Sequence, residues 1–146
     1  MSIDGEYAPS TWGWVADQVE RYEASGGTDA ATLLDTGIPI IVTTMRGHKT
    51  GKVRKVPLMR VEHDGEYALI ASKGGAPSHP GWYHNLQSSD VKVKVANDTL
   101  DVSCRVADGA ERDRVWAQMA EMYPPFTDYQ QKAGSRQIPV VILEPK

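Results

Sequence analysis

Strict alternation of apolar and polar residues constrains the fold of this chain more than any other feature. In Val91–Val95 every second residue is valine and the residues between are lysines. This pattern is typical of an antiparallel strand with one face in the core and the other in water. A turn at Asn97-Asp98 leads into residues 100–106, which alternate again and place Cys104 on the apolar side. The two segments therefore predict an antiparallel pair with Cys104 as a buried structural thiol.

Four more strands are predicted, at residues 38–44, 55–63, 66–72 and 138–143. The first is a β-branched run typical of a strand buried on both faces. Asp64-Gly65 separates the second and third, and this dipeptide is the strongest short hairpin signal. Pro57 cannot donate to a ladder, so we expect a sheet edge or a bulge at that position.

Helices are predicted at residues 10–25 and 109–122. In the first, Trp12, Val15, Val19 and Tyr22 form one apolar stripe, which fits core packing better than a membrane face or a pocket wall because its other face is acidic. Asp108 and Glu111 have the spacing of a capping box, and Pro124-Pro125 ends the second helix. The elements predict one α+β domain over residues 1–146, in which about six mostly antiparallel strands close into a barrel with flanking helices.

Composition narrows the function classes. The chain has 146 residues, one cysteine, a net charge of −3 and no apolar run long enough to span a bilayer. A single cysteine excludes an internal disulfide and indicates a cytoplasmic protein; peripheral contact with the inner face of the membrane is left open but disfavoured. The acidic balance argues against nucleic acid as a partner.

One segment departs from that balance. Residues 46–55, RGHKTGKVRK, hold five of the 16 Lys/Arg and none of the 19 Asp/Glu. With Gly47 and Gly51 permitting close backbone approach, the segment is either an anion-binding loop or a solvated surface loop. It is not a phosphate-binding P-loop, because its glycine spacing is one residue short and Val53 stands where a magnesium ligand belongs.

Two further segments could form a site. Residues 71–85, ASKGGAPSHPGWYHN, either cover a planar heterocycle with backbone and two rings, or form a turn and a helix whose Trp82 lies in the core. Tyr123, Phe126 and Tyr129 recur at intervals of three, as a pocket wall or as an aromatic anchor. His79 and His84 lack the partners of a zinc site, so no metal is expected.

Four ordered blocks together resemble the deazaflavin-dependent nitroreductase and quinone reductase family of actinobacteria. They are TT-x-x-G-x-K-T-G-x-x-R-x-x-PL near residues 43–58, ASKGGA at 71–76, P-x-WY-x-NL at 80–86 and MYP-x-F-x-DYQ at 122–130. The resemblance covers residues 40–145. It implies a split β-barrel of the FMN-binding type and coenzyme F420 as cofactor, with FMN as the alternative.

The resemblance also implies roles for individual residues. For the cofactor's phosphate it implies Lys49 and Arg54, assisted by His48 and Thr50, with added field from Lys52 and Lys55. Around the ring it implies Pro57, Leu58, Ala71, Ser72, Lys73 and Gly74, with Gly81, Trp82, Tyr83, His84 and Asn85 closing over it. For the substrate pocket it implies Tyr123, Phe126 and Tyr129, with Ser72, Tyr129 and Tyr123 as candidate proton donors.

The expected activity is hydride transfer from reduced F420 to a small electron-poor acceptor: a quinone, an activated enone or lactone, or a nitroaromatic. Phe126 stands where one branch of the family has a tyrosine, which disfavours the nitroaromatic. The alternatives are a protein that binds F420 without catalysis and an FMN-dependent reductase of the same fold.

Overall fold

The computed structural model describes residues 6–32, 37–63, 66–75, 78–87 and 90–146. Within them lie seven strands, four helices and one short 3-10 turn at Lys73–Gly75. The strands are β1 (Ile40–Arg46), β2 (Val53–Met59), β3 (Val61–His63), β4 (Glu66–Ile70), β5 (Val91–Val95), β6 (Asp98–Val106) and β7 (Val140–Pro145). The helices are α1 (Gly13–Ala24), α2 (Gly81–Leu86), α3 (Gly109–Met122) and α4 (Pro125–Ala133).

The seven strands form one antiparallel sheet in the order β2-β1-β5-β6-β7-β4-β3. The two edge strands, β2 and β3, are separated along the chain by Arg60 alone. A single residue spans only a few ångströms, so the sheet must curl until its edges meet. The predicted α+β barrel is therefore confirmed.

The strand count was underestimated by one. The predicted strand at 55–63 is two strands, because the chain changes its partner at Arg60. The Arg60 N–H still donates to the carbonyl of Pro39 at 2.8 Å, in register with the β1–β2 pairing, and from Val61 the chain pairs with β4. Pro57 does lie on an edge strand, as predicted. The Asp64-Gly65 turn lies outside the described residues, but His63 pairs with Glu66 across the hairpin, the register that a two-residue loop requires.

The turn after β5 is one residue earlier than predicted. Val95 pairs with Asp98, so Ala96 and Asn97 form the loop and β6 begins at Asp98. The end of α1 packs on this loop: the hydroxyl of Tyr22 accepts the Ala96 N–H at 2.6 Å. A Cβ at Gly27 would lie 2.4 Å from the Ala96 Cα, so only glycine permits this approach.

Two helix starts also need correction. Helix α1 begins at Gly13, so Trp12 precedes it and is 66% exposed, whereas Val19 and Tyr22 pack in the core as predicted. Asp108 precedes α3 but makes no side-chain capping bond. The predicted capping box is wrong because the guanidinium of Arg105 binds the Glu111 carboxylate at 2.7 Å.

The core lies on both faces of the curled sheet. One cluster joins the sheet to α3 and α4, and another fills the inside of the curl, where half-buried Cys104 packs. Burial raises the pKa of the Cys104 thiol to about 11, which is consistent with a structural role. Among the described residues, no helix combines the length and apolar composition needed to cross a bilayer.

Candidate functional site

The basic segment forms the tip of the β1–β2 hairpin. The Gly47 N–H donates to the Lys52 carbonyl at 2.7 Å, and the Gly51 N–H donates to the Gly47 carbonyl at 2.9 Å. Gly51 has φ +73°, a conformation that favours glycine. The tip is therefore an ordered turn between two strands, and its side chains project from a fixed backbone.

This tip forms one wall of a cleft of about 540 Å³. Helix α2 supplies the opposite wall, and the chain before α1 supplies the rim. The lining residues are Gly47, His48, Lys49, Thr50, Arg54 and Val56 from the hairpin, Gly81, Trp82 and Asn85 from α2, and Ser10 and Trp12 from the rim. Ser10 was not predicted as a lining residue, and Trp12 was predicted to pack in the core. The one sequence signal against a buried Trp12 is its position at the start of the predicted helix, where a side chain can stay exposed.

The cations of the hairpin divide into two groups. Lys49 and Arg54 line the cleft, and no carboxylate among the described residues pairs with either. Lys52 instead pairs with Glu6 at 3.5 Å and lines neither the cleft nor the second cavity described below. The cleft therefore keeps two positive charges available for an anionic ligand.

Lys55 does not line the cleft, and the added field predicted for it stays a prediction. Its ammonium pairs with Glu23 of α1 at 2.7 Å. The physical reason is strand alternation: Arg54 and Val56 share one face of β2, so Lys55 between them points to the other.

Asn85 connects the hairpin tip to α2. Its side-chain oxygen accepts the His48 N–H at 2.9 Å and lies 2.5 Å from the Nδ1 of the His48 ring. Because that oxygen can only accept, the Nδ1 of His48 carries the proton. The contact fixes the basic loop against the helix that presents Trp82.

A second cavity, of about 150 Å³, lies further along β2. Ser72 is the one polar residue among the described residues that line it. The lining residues are Pro57, Leu58, Met59, Leu69, Ile70, Ser72, Met119 and Phe126. The predicted residues Pro57, Leu58, Ser72 and Phe126 are thus brought together. Met59, Leu69, Ile70 and Met119 also line the cavity, although the sequence indicated no role in a site for these four.

One face of β2 links the cleft and the cavity. Arg54 and Val56 line the cleft, and Leu58, two residues on and on the same face, lines the cavity. From Arg54 to Leu58 the strand covers about 13 Å, at about 3.3 Å per residue. An extended ligand lying along this face would reach both.

The segment around Ser72 is held from outside the cavity. The guanidinium of Arg136 donates to the carbonyl of Ala71 at 3.1 Å and to that of Ser72 at 2.7 Å. Ala71 is buried, and Lys73 is exposed with its ammonium 3.4 Å from the Ser78 hydroxyl. Neither of these two residues lines either cavity. Arg136 lies beyond the four blocks, so no sequence signal pointed to it.

The aromatic trio divides as well. Phe126 lines the second cavity, whereas Tyr123 and Tyr129 pack against its ring at centroid distances of 5.0 and 6.1 Å and line neither cavity. Their hydroxyls lie 3.2 Å apart. The hydrogen bond to Tyr123, and then burial, raise the pKa of Tyr129. Their role as proton donors stays a prediction.

Trp82 and Tyr83 line different cavities, and their shared role toward a ligand stays a prediction. Consecutive helical residues point about 100° apart. Trp82 faces the cleft, whereas Tyr83 packs on the ring of His79 at 4.8 Å and lines a separate pocket of about 60 Å³ that includes Cys104. His84 is exposed and lies outside both cavities. Within the described ranges, no group of three metal-binding side chains is present.

Comparison of this chain with known proteins identifies its family. A family model described as F420H(2)-dependent quinone reductase matches residues 14–145. A Mycobacterium tuberculosis protein named F420H(2)-dependent quinone reductase is 35% identical over 109 residues, which cover 72% of each chain.

Solved structures agree. The F420-H2 dependent reductase FDR-A is 47% identical with a TM-score of 0.66, covering 73% of this chain and 94% of that one. HutZ of Vibrio cholerae, a heme storage protein, is 16% identical with a TM-score of 0.52 over 73% of this chain and 81% of its own, and shares the fold alone. The predicted split-barrel fold and family are thus confirmed, and the chain belongs to the F420H(2)-dependent quinone reductase family.

Proposed function

We propose that this protein transfers a hydride from reduced coenzyme F420 to a quinone-type acceptor. The phosphorylated end of the cofactor lies in the basic cleft, and the reaction takes place beside Ser72 in the second cavity. Family membership supports the cofactor and the acceptor class. The presence of two cavities of different polarity supports placing the cofactor's phosphate in one and the reaction in the other.

One observation supports this assignment most strongly. Of the cations at the hairpin, Lys52 and Lys55 are paired with carboxylates, whereas Lys49 and Arg54 line the cleft with no described carboxylate beside them. Positive charges gathered in a concave surface favour an anion of matching charge. A phosphate accepts hydrogen bonds from both groups, and Arg54 can donate two in parallel.

The remaining walls fit the rest of the cofactor. Gly47 and Gly81 place backbone without a Cβ at the cleft surface, and Trp82 presents an indole to a planar group. At about 540 Å³ the cleft is within the range that holds a cofactor-sized ligand. Thr50 and His48 would add polar contacts to the phosphate.

The chemistry needs placement more than acid–base power. When bound, reduced F420 supplies two electrons as a hydride. A quinone that accepts the hydride also takes up one proton and becomes a hydroquinone. Apolar side chains that include Leu58 and Phe126 line the cavity and disfavour water in it. The Ser72 hydroxyl can donate a hydrogen bond to the carbonyl oxygen of the acceptor as charge develops on that oxygen.

A direct test is anaerobic turnover. Reduced F420 and menadione are mixed with the protein, and reappearance of the oxidised cofactor's visible absorbance is followed. We expect multiple turnovers with F420 and none with reduced FMN. Tight F420 binding without turnover over a panel of quinones, enones and nitroaromatics would instead indicate a non-catalytic binding protein, and turnover with FMN alone would overturn the cofactor assignment.

A further inference from the structure

Arg136 lies outside both cavities yet holds a wall of the second one. Its guanidinium donates to two consecutive carbonyls, those of Ala71 and Ser72, at 3.1 and 2.7 Å. A guanidinium is planar and rigid, so two such contacts fix the two peptide units that flank the Cα of Ser72. The direction of the Ser72 side chain is set by that backbone.

Arg136 is itself fixed to α4. The side-chain amide of Gln130 donates to the Arg136 carbonyl at 2.8 Å, and the oxygen of the same amide accepts the Ile138 N–H at 2.9 Å. Helix α4 also carries Phe126, the wall facing Ser72. The two walls of the cavity are therefore joined through Gln130 and Arg136.

A third contact makes this arrangement depend on protonation. The Nη1 of Arg136 lies 2.9 Å from the Nδ1 of His79. Arginine has no acceptor, so His79 must accept through an unprotonated Nδ1 and be neutral. Among the residues that the structure describes, the groups facing His79 are Arg136 and, from α2, the rings of Tyr83 at 4.8 Å and His84 at 6.1 Å. Burial first, then the charges of Arg136 and His84, lower the pKa of His79 below its ordinary 6.5.

We propose that Arg136 is a positioning residue that sets Ser72 against Phe126, and that neutral His79 holds Arg136 in place. The kinetic part of this proposal rests on the proposed function, whereas its structural part does not.

The structural part is tested without ligand by amide hydrogen exchange. The reporters are the N–H groups of Ala71, bonded to Pro139, and of Gly75, bonded to Ser72. We expect both to exchange faster in Arg136→Ala. The control is Arg21→Ala, which removes another guanidinium, one that bonds the Asp29 carboxylate at 2.8 Å beside α1 and has no hydrogen bond to the described residues of this network. Equal exchange of these reporters in Arg136→Ala and wild type would overturn the proposal.

The kinetic part separates placement from cofactor binding. We expect Arg136→Ala to lower kcat by about 10–100-fold, the scale expected for a displacement of about 1 Å at the reacting groups. F420 affinity should stay near wild type, since Lys49 and Arg54 are untouched, and millimolar guanidinium should restore part of the turnover. An unchanged kcat contradicts the proposal. An inactive wild type contradicts the proposed function instead, and the exchange result still stands.

The role of His79 has its own readout. Because its folded pKa is depressed, the Arg136 contact is intact at neutral pH and is lost as pH falls through that folded value. We therefore expect kcat to fall as the pH is lowered through the folded pKa of His79, which gives the pH profile an acid limb. His79→Asn, which offers an amide oxygen as a non-titrating acceptor, should abolish the limb; an identical pH profile in wild type and His79→Asn would overturn this part.

Discussion

The basic cleft and the Ser72 cavity are built on opposite principles, although β2 runs through both. The cleft is open and polar, and its binding groups are long cationic side chains on a hairpin tip. The cavity is smaller and mostly apolar, and its one hydroxyl is set by backbone held from α4. Charge attracts a ligand from a distance and tolerates imprecise geometry, whereas reaction requires placement to a fraction of an ångström. Under the proposed function, the cleft would supply affinity for one end of the cofactor and the cavity would place the reacting end.

The largest difference should appear when a methyl group is added at one glycine in each region. A Cβ at Gly75 would lie 2.7 Å from the carbonyl oxygen of Tyr129, and Gly75 has φ +82°. We expect Gly75→Ala to reduce the free energy of unfolding by about 2–4 kcal/mol, from backbone strain and overpacking together.

Gly51→Ala is the matched control in the basic loop. Gly51 has φ +73° but nothing within 4 Å of an added Cβ. Strain alone should cost about 1–2 kcal/mol. Urea unfolding at constant m-value measures both losses, and equal losses would show that α4 does not constrain the cavity wall.

A smaller and more selective effect is expected from the cations. Lys49→Ala and Arg54→Ala should each weaken F420 binding by about 1–3 kcal/mol, because each removes charge-assisted hydrogen bonds. Lys52→Ala removes the same charge from the same loop outside the cleft, and its effect should be below about 1 kcal/mol. Isothermal titration of F420 into wild type and the three variants, at low and high salt, measures these losses of affinity. Equal affinities for the four proteins would refute the anion site.

The smallest expected effect concerns two neighbouring indoles. Trp12 and Trp14 are 66% and 46% exposed, with ring centroids 6.3 Å apart, but only Trp12 lines the cleft among the described residues. Trp12→Ala should weaken F420 binding by about 0.5–1.5 kcal/mol through lost ring contact, while Trp14→Ala should not. A larger loss in Trp14→Ala would indicate that the rim of the cleft is wrongly assigned.

Features set by local sequence could be predicted, whereas contacts between residues far apart in sequence could not. Composition and periodicity located β1, β5, β6 and β7, because local pattern determines which face a side chain occupies. Lys49, Arg54, Ser72 and Trp82 came from the family resemblance, and each of them lines one of the two cavities. Local pattern could not show that Lys55 pairs with Glu23 of α1, or that Tyr83 lines a different pocket from the cleft that Trp82 lines. Arg136 was out of reach for the same reason: its partners are about 65 residues away in sequence.

The central claim is that the cleft recognises the phosphorylated end of the cofactor. Its most direct test compares the affinity of F420 with that of its deazaflavin ring and ribityl chain without the phosphate, in wild type and in Lys49→Ala/Arg54→Ala. Wild type should prefer the phosphorylated molecule strongly, and the double variant should bind both with similar affinity. A preference of the same size in both proteins would place the phosphate elsewhere and contradict the account.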